Sequence, residues 1–154
     1  MNRHLSRTLA MQIVYEWDFI GKKNLDEIKN RSYEIFARDL DNEYADKIID
    51  GVTKNVDTLD KKIIEVAPDW PIEQVANINK AILRVSIFEL ENFADIPPKV
   101  IINEAVELAK SFGGSNSFKF VNGVLGTIYR KSNRFEKDEE INQINEKPIA
   151  EIKE

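Results

Sequence analysis

Residues 72–90 read IEQVANINKAILRVSIFEL, a stretch with no proline and no glycine. Its apolar side chains recur at helical spacing and cover two faces. Ile72, Val75, Ile78, Ile82 and Val85 lie on one, and Ala76, Leu83, Ile87 and Leu90 on the other. A helix that is apolar over so much of its circumference belongs at the centre of a core. Pro68-Asp69-Trp70-Pro71 punctuates the chain just before it, and Pro71 suits the first turn of the helix that follows. The stretch therefore predicts one long central helix over 72–90.

The same period runs outward in both directions. Leu5, Leu9, Ile13, Trp17 and Ile20 are spaced four, four, four and three apart, one face of a helix that Gly21 ends. Asn24 is placed to cap a second helix with Leu25, Ile28, Ile35 and Phe36 as apolar positions, and Asp41 or Asn42 a third with Tyr44, Ile48, Ile49, Val52 and Val56 inward. Leu59, Ile63, Ile64 and Val66 continue the pattern. Beyond Pro97-Pro98 come Ile101, Ala105, Leu108 and Phe112, closed by Gly113-Gly114. Ser115 or Ser117 then opens a helix with Val121, Val124, Leu125 and Ile128 inward. No alternation of period two appears. The expectation is an all-α chain of six to seven helices packed as two small bundles that share the middle helix. Residues 1–135 form the domain, and the polar, acidic tail 136–154 reads as disordered.

A chain of 154 residues with 42% hydrophobic and 32% charged residues buries a real core unaided. No apolar run approaches the roughly 18–20 residues of a membrane span, and the N-terminus has no apolar stretch of the secretory type. Cysteine is absent. That excludes disulfides, thiolate zinc sites and a cysteine nucleophile, and fits a reducing cytoplasm. The net charge of −5 argues against nucleic acid, but the charge is unevenly spread. Residues 1–15 carry Arg3 and Arg7 and no acid. Residues 108–135 carry Lys110, Lys119, Arg130, Lys131 and Arg134, again with no acid. Residues 136–154 hold seven acids and three bases. Two acid-free basic segments on an acidic chain are an electrostatic footprint for a polyanion.

Catalysis finds little support. His4 is the one histidine, so a triad or a histidine metal site has no material. Gly113-Gly114 lacks the Lys-Ser/Thr of a phosphate loop. Glu104 and Glu107 are three apart, a spacing common on solvated helices. No metal or cofactor is expected.

Two constellations suit RNA. Arg3, His4 and Arg7 project from the start of the first helix, with Tyr15 two turns beyond Arg7. The second is Ser117-Phe118-Lys119-Phe120-Val121-Asn122-Gly123. Residues two apart on a helix point about 200° apart, so Phe118 and Phe120 do not share the core face. An exposed aromatic beside Lys119 and Asn122 suits unstacked bases. Which phenylalanine is exposed stays open, as does a packing that takes up both.

Together these pieces resemble the NusB family. The matching residues are Arg7-x-x-Ala10-x-Gln12-x-x-Tyr15-x-Trp17, Ala81-Ile82-Leu83-Arg84 with Glu89-Leu90, Pro97 to Val100, Ile102 to Phe112, and Lys119-Phe120-Val121-Asn122-Gly123-Val124-Leu125. The resemblance covers about residues 3–130. It implies two three-helix bundles, a transcription antitermination factor, and binding of single-stranded boxA RNA by Arg3, His4, Arg7, Tyr15, Lys119, Phe120 and Asn122. It also implies a heterodimer with NusE, a small-subunit ribosomal protein, and assembly with other Nus factors on RNA polymerase. It leaves a homodimer of the free protein open. With NusE on the middle helices, Glu73, Asn77, Lys80 and Arg84, spaced four, three and four, form a polar ridge for that partner. Two features depart from the pattern: the arm is only modestly basic, and the acidic tail has no counterpart. Two other readings fit the same residues. One is the NusB-like domain of an rRNA methyltransferase, which needs a cofactor domain that this sequence does not contain. The other is a helical adaptor that binds protein alone.

Overall fold

The computed structural model describes residues 2–146. Eight α-helices account for most of them: α1 (Arg3–Phe19), α2 (Leu25–Phe36), α3 (Asn42–Lys54), α4 (Val56–Val66), α5 (Asn77–Asn92), α6 (Pro98–Phe112), α7 (Ser117–Arg130) and α8 (Asn133–Glu146). There is no β-strand among the described residues, only an isolated bridge between Asn2 and Leu40.

The expected signals set most of the boundaries. Asn2, which the sequence did not single out, caps α1 by accepting a hydrogen bond from the Leu5 amide at 3.0 Å. Gly21 follows α1 at φ +94°, a left-handed conformation that favours glycine. Asp41, not Asn42, caps α3 through the Tyr44 amide. Pro98 occupies the first turn of α6, and α7 starts at Ser117. Asn24 departs from expectation. It stands before α2 in the left-handed region and its side chain caps nothing.

The central stretch is also not one helix. Ile72–Gln74 forms a single 3-10 turn, and Val75 and Ala76 are extended before α5 begins at Asn77. The Val75 side chain is buried within this extended stretch, so the helical period gives way where the chain turns. From Ala81 to Ile87 every residue of α5 is buried, so the expectation of a central helix holds for its main part. It packs against α1 and α3 on one side and α4, α6 and α7 on the other. Helices α1–α3 form one bundle and α5–α7 the second, with α5 common to both. Gly51 of α3 allows the closest approach: a Cβ there would fall 2.0 Å from the Phe88 ring of α5.

Two further expectations fail. Ile35 is 70% exposed and Phe36 is also exposed, although they share the helix face of Ile28 and Leu25: Leu25, Ile28 and Tyr33 reach the core, and the last turn of α2 does not. The tail does not become irregular at residue 136, since α8 continues to Glu146. Its start is pinned by Arg134, which donates to the Leu90 and Ile96 carbonyls at 3.0 and 2.6 Å. The Tyr129 hydroxyl donates to Asp138. The remainder of the expected tail, 147–154, lies outside the described residues.

Trp17 ends the buried stripe of α1 at 7% exposed. Trp17→Ala is expected to cost about 3–5 kcal/mol in chemical denaturation. A loss well under about 1 kcal/mol would mean that the stripe does not anchor α1.

Candidate nucleic-acid interface

Arg7 points inward. Its side chain is 4% exposed, and its Nε donates to both carboxylate oxygens of Glu89 at 3.0 and 2.9 Å. Its Nη2 donates to the Tyr44 hydroxyl at 2.7 Å, and Nη1 lies 3.4 Å from Glu104. The Tyr44 hydroxyl also donates to Glu89. Four helices, α1, α3, α5 and α6, thus meet on one guanidinium. Burial pushes the Glu89 carboxyl above its usual range, with Arg7 pulling it down and the Glu104 charge adding to the push. The expectation that Arg7 is a solvent-facing phosphate ligand is therefore corrected. The fully buried Glu89 carboxylate needs a buried cation, and Arg7 is the residue within reach.

The arm that does face solvent is Arg3 and His4. Arg3 is half-exposed, 3.8 Å from Asp95, and its guanidinium lies 5.2 Å from the Tyr44 ring centroid. His4 Nδ1 is 2.6 Å from Glu104 Oε2. Glu104 is thereby committed to His4 and Arg7 rather than to Glu107. Tyr15 is half-buried and stacks on exposed Phe19, with ring centroids 6.2 Å apart.

On α7, both phenylalanines are half-buried, so neither is the fully exposed member of the pair. Phe118 lies under two ammonium groups, Lys110 at 5.5 Å and Lys119 at 5.9 Å. Phe120 meets Trp70 edge-on at 6.1 Å. Trp70 is 58% exposed, and its sequence context signalled only a turn. Together Trp70 and Phe120 wall a cavity of about 440 Å³ that Asn79 and Ser117 also line. The Asn79 Oδ1 is buried and accepts no hydrogen bond among the described residues. An aromatic wall beside an uncommitted amide oxygen suits a base with an exocyclic amine. Trp70 and Asn79 were missed because nothing in their local spacing separates a surface tryptophan in a turn from one in a site.

The two basic segments do not pack against each other directly. α1 reaches Glu104 on α6, and α6 packs against α7. Arg3 and Lys119 are therefore carried by helices on either side of α6, and Asn122 is exposed on α7.

The polar ridge is likewise broken. Glu73 sits on the 3-10 turn and Asn77 opens α5, both exposed, and Lys80 is half-buried. Arg84 is buried, its Nε and Nη2 each 2.8 Å from Asp60 and its Nη1 3.0 Å from Asp18. Burial works to raise the Asp18 carboxyl, but Lys22 and Arg84 outweigh it and hold it below the usual range. Arg84 therefore ties α5 to α1 and α4 and is unavailable to a partner.

Two helical bundles sharing a central helix, with a basic arm and an aromatic–cation patch at the surface, define an all-helical protein suited to holding a polyanion. A model of the NusB family matches residues 4–130, and the chain belongs to that family. Similar relatives include the transcription antitermination protein NusB of Colwellia psychrerythraea, 44% identical over 124 residues that cover 80% of this chain and 88% of that one. The corresponding protein of Clostridium acetobutylicum is 40% identical over 132 residues, 86% and 98% of the two chains. Among solved structures, T. maritima NusB superposes with a TM-score of 0.80 at 27% identity, over 90% of this chain and 98% of that one. A crystal structure of antitermination factors NusB and NusE in complex with dsRNA matches with a TM-score of 0.74 at 26% identity, over 86% and 100%.

Removing one partner of a buried ion pair leaves the other charge uncompensated. Arg7→Ala is expected to lower folding stability by about 3–5 kcal/mol in urea titrations, whereas Arg3→Ala changes it by less than about 0.5 kcal/mol. Equal effects of the two would overturn the assignment of Arg7 to the core.

Proposed function

We propose that this chain is a transcription antitermination factor that binds boxA-type nascent RNA as a heterodimer with NusE. It acts with other Nus factors on RNA polymerase, in the cytoplasm, and catalyses no reaction. The observation that carries this is the match, over all of that chain and most of this one, to a NusB solved with NusE and RNA. No helix among the described residues is long and apolar enough to cross a membrane.

In this reading Arg3, His4 and Lys119 supply cationic and polar contacts to phosphates. Phe120, with Trp70 beside it, supplies a stacking wall, and Asn122 contributes an amide. Tyr15 and Phe19 form a second aromatic surface along α1. Glu73, Asn77 and Lys80 are the members of the ridge that a protein partner reaches, and Arg84 supports them from within.

The direct test is binding of a boxA RNA by this chain with and without NusE from the same organism. Tighter binding with NusE is expected, and no binding in either case would sink the reading. Arg3→Ala should make the plot of log K against log salt shallower by up to about 0.7, the share of one contact to single-stranded RNA. Phe120→Ala should weaken binding by about 1–3 kcal/mol with little change in that slope. Because Phe120 also packs against the core, its folding stability is measured alongside. Charge reversal at Glu73 and Lys80 together should weaken capture of NusE, and unchanged affinity would move the interface elsewhere.

A further inference from the structure

A cleft of about 850 Å³ opens between the start of α6 and the outer face of α7. Lys99 on α6 and Arg130 at the end of α7 stand on its rim. Both are exposed, and neither forms an ion pair among the described residues. The exposed amides of Asn103 and Asn122 line it between them. Its two acids face other groups: Asp95 lies 3.8 Å from Arg3, and Asp138 accepts from the neutral Tyr129 hydroxyl and keeps its charge, so Lys99, Arg130 and Arg134 leave the lining one cation in excess. Arg134 is committed to backbone carbonyls and holds the wall in place. The cleft therefore offers free positive charge and uncommitted amides.

Gly123 and Gly126 of α7 also line this cleft. Each weakens a helix interior relative to alanine, so each needs a reason. Neither has a positive φ, so backbone conformation does not require them. A Cβ at Gly123 would meet nothing within 4 Å, so packing does not require glycine there either. A Cβ at Gly126 would sit 3.2 Å from Arg130 Nη1, so this glycine leaves room for the guanidinium to fold back over the helix. What remains bare is the turn at Gly123, beside the guanidinium that covers Gly126, and a ligand backbone can approach the helix closely there.

The geometry points to this cleft as a phosphodiester track, in which Lys99 and Arg130 hold successive phosphates of single-stranded RNA and the ribose chain lies over Gly123. Such contacts position a strand, while bases are read elsewhere. The location supports RNA over a small anion. The cleft begins at Asp95, beside the exposed arm residue Arg3, and ends at Asn122, one turn from Lys119, and at Gly123, which also lines a neighbouring groove with Lys119 and Phe120. It thus joins across α6 the two patches that helix packing keeps apart. This assignment rests on the RNA-binding reading above and extends it to Lys99, outside both acid-free segments, and to Arg130, outside the Ser117–Gly123 constellation.

The test compares the full chain with Lys99→Gln/Arg130→Gln and with Gly123→Leu, using the boxA RNA as probe and NusE capture as a parallel measurement. The double variant should bind the RNA more weakly, with a log K against log salt slope shallower by about 1.4, two contacts at about 0.7 each. Gly123→Leu should weaken RNA binding about tenfold or more while its thermal midpoint stays level or rises, because leucine favours the helix. Arg3→Ala serves as the reference. If the unaltered chain and Arg3→Ala differ in RNA binding while the cleft variants match the unaltered chain in affinity and slope, the track is overturned and the RNA-binding reading stands. If no form binds RNA, that reading falls and the track with it. If the cleft variants keep RNA but lose NusE, the cleft belongs to the protein partner and the assignment is wrong.

Discussion

The fold depends on one buried charge. Glu89 lies inside α5 with no access to solvent, and burying an ion costs several kcal/mol unless it is paired and hydrogen-bonded. Arg7 and Tyr44 meet that requirement together, from α1 and α3, and Glu104 of α6 sits at the other side of the same guanidinium. Apolar packing tolerates small shifts of one helix along another, but a buried charge-assisted pair, here one Arg7 Nε–H shared by both Glu89 oxygens with Tyr44 beside them, does not. The interaction therefore fixes which turns of the four helices face one another. It sets the register between the bundles more than it adds net stability.

A second buried arginine repeats the logic lower on the same helix. Arg84 joins α5 to Asp18 near the end of α1 and to Asp60 on α4. Helix α5 is thus tied to α1 at two points, one near each end of α1. A rigid α1–α5 pair follows, and α6 is carried with it through Glu104. The Arg3 arm and the Lys119–Phe120 patch sit at the outer edges of this frame. Their separation is set by core ion pairs and not by the residues that face solvent.

This explains what was legible in the sequence and what was not. Helix period and punctuation located α1, α3, α6 and α7 well, because Gly21, Asp41 and Pro98 act through their own backbone and side-chain chemistry. The centrality of α5 was visible because apolar residues on every side have only one place to go. The start of α5 was not, since the bend at Val75 leaves no local mark. α8 was hidden for a related reason: it is held by Arg134 and Tyr129, residues that precede most of it. The charged residues were the hardest. Arg3 and Arg7 look alike in a window of acid-free sequence, and only the partner at Glu89, 82 positions along, sends one inward. Arg84 was misread as ridge for the same reason, its partners lying on α1 and α4.

The charge pattern itself then takes a different meaning. The acid-free character of 1–15 and 108–135 does not mark one merged basic face, because Arg7 is consumed by the core and Arg134 by backbone carbonyls. The carboxylates near those two edges come from elsewhere in the sequence: Asp95 beside Arg3, Glu104 beside His4 and Glu107 beside Lys110. Where acids do lie between those edges, at Asp95, Glu104 and Asp138, each is occupied by Arg3, by His4 with Arg7, or by Tyr129. An acidic chain thereby leaves a strip of cations and amides free along the α6–α7 side without carrying a dense basic cluster. In the proposed RNA-binding reading such a strip makes few phosphate contacts, so shape and stacking contribute a larger share of the affinity than counterion release does. A protein partner that completes the surface suits a site of that kind, because it supplies the contact area that the modest charge does not.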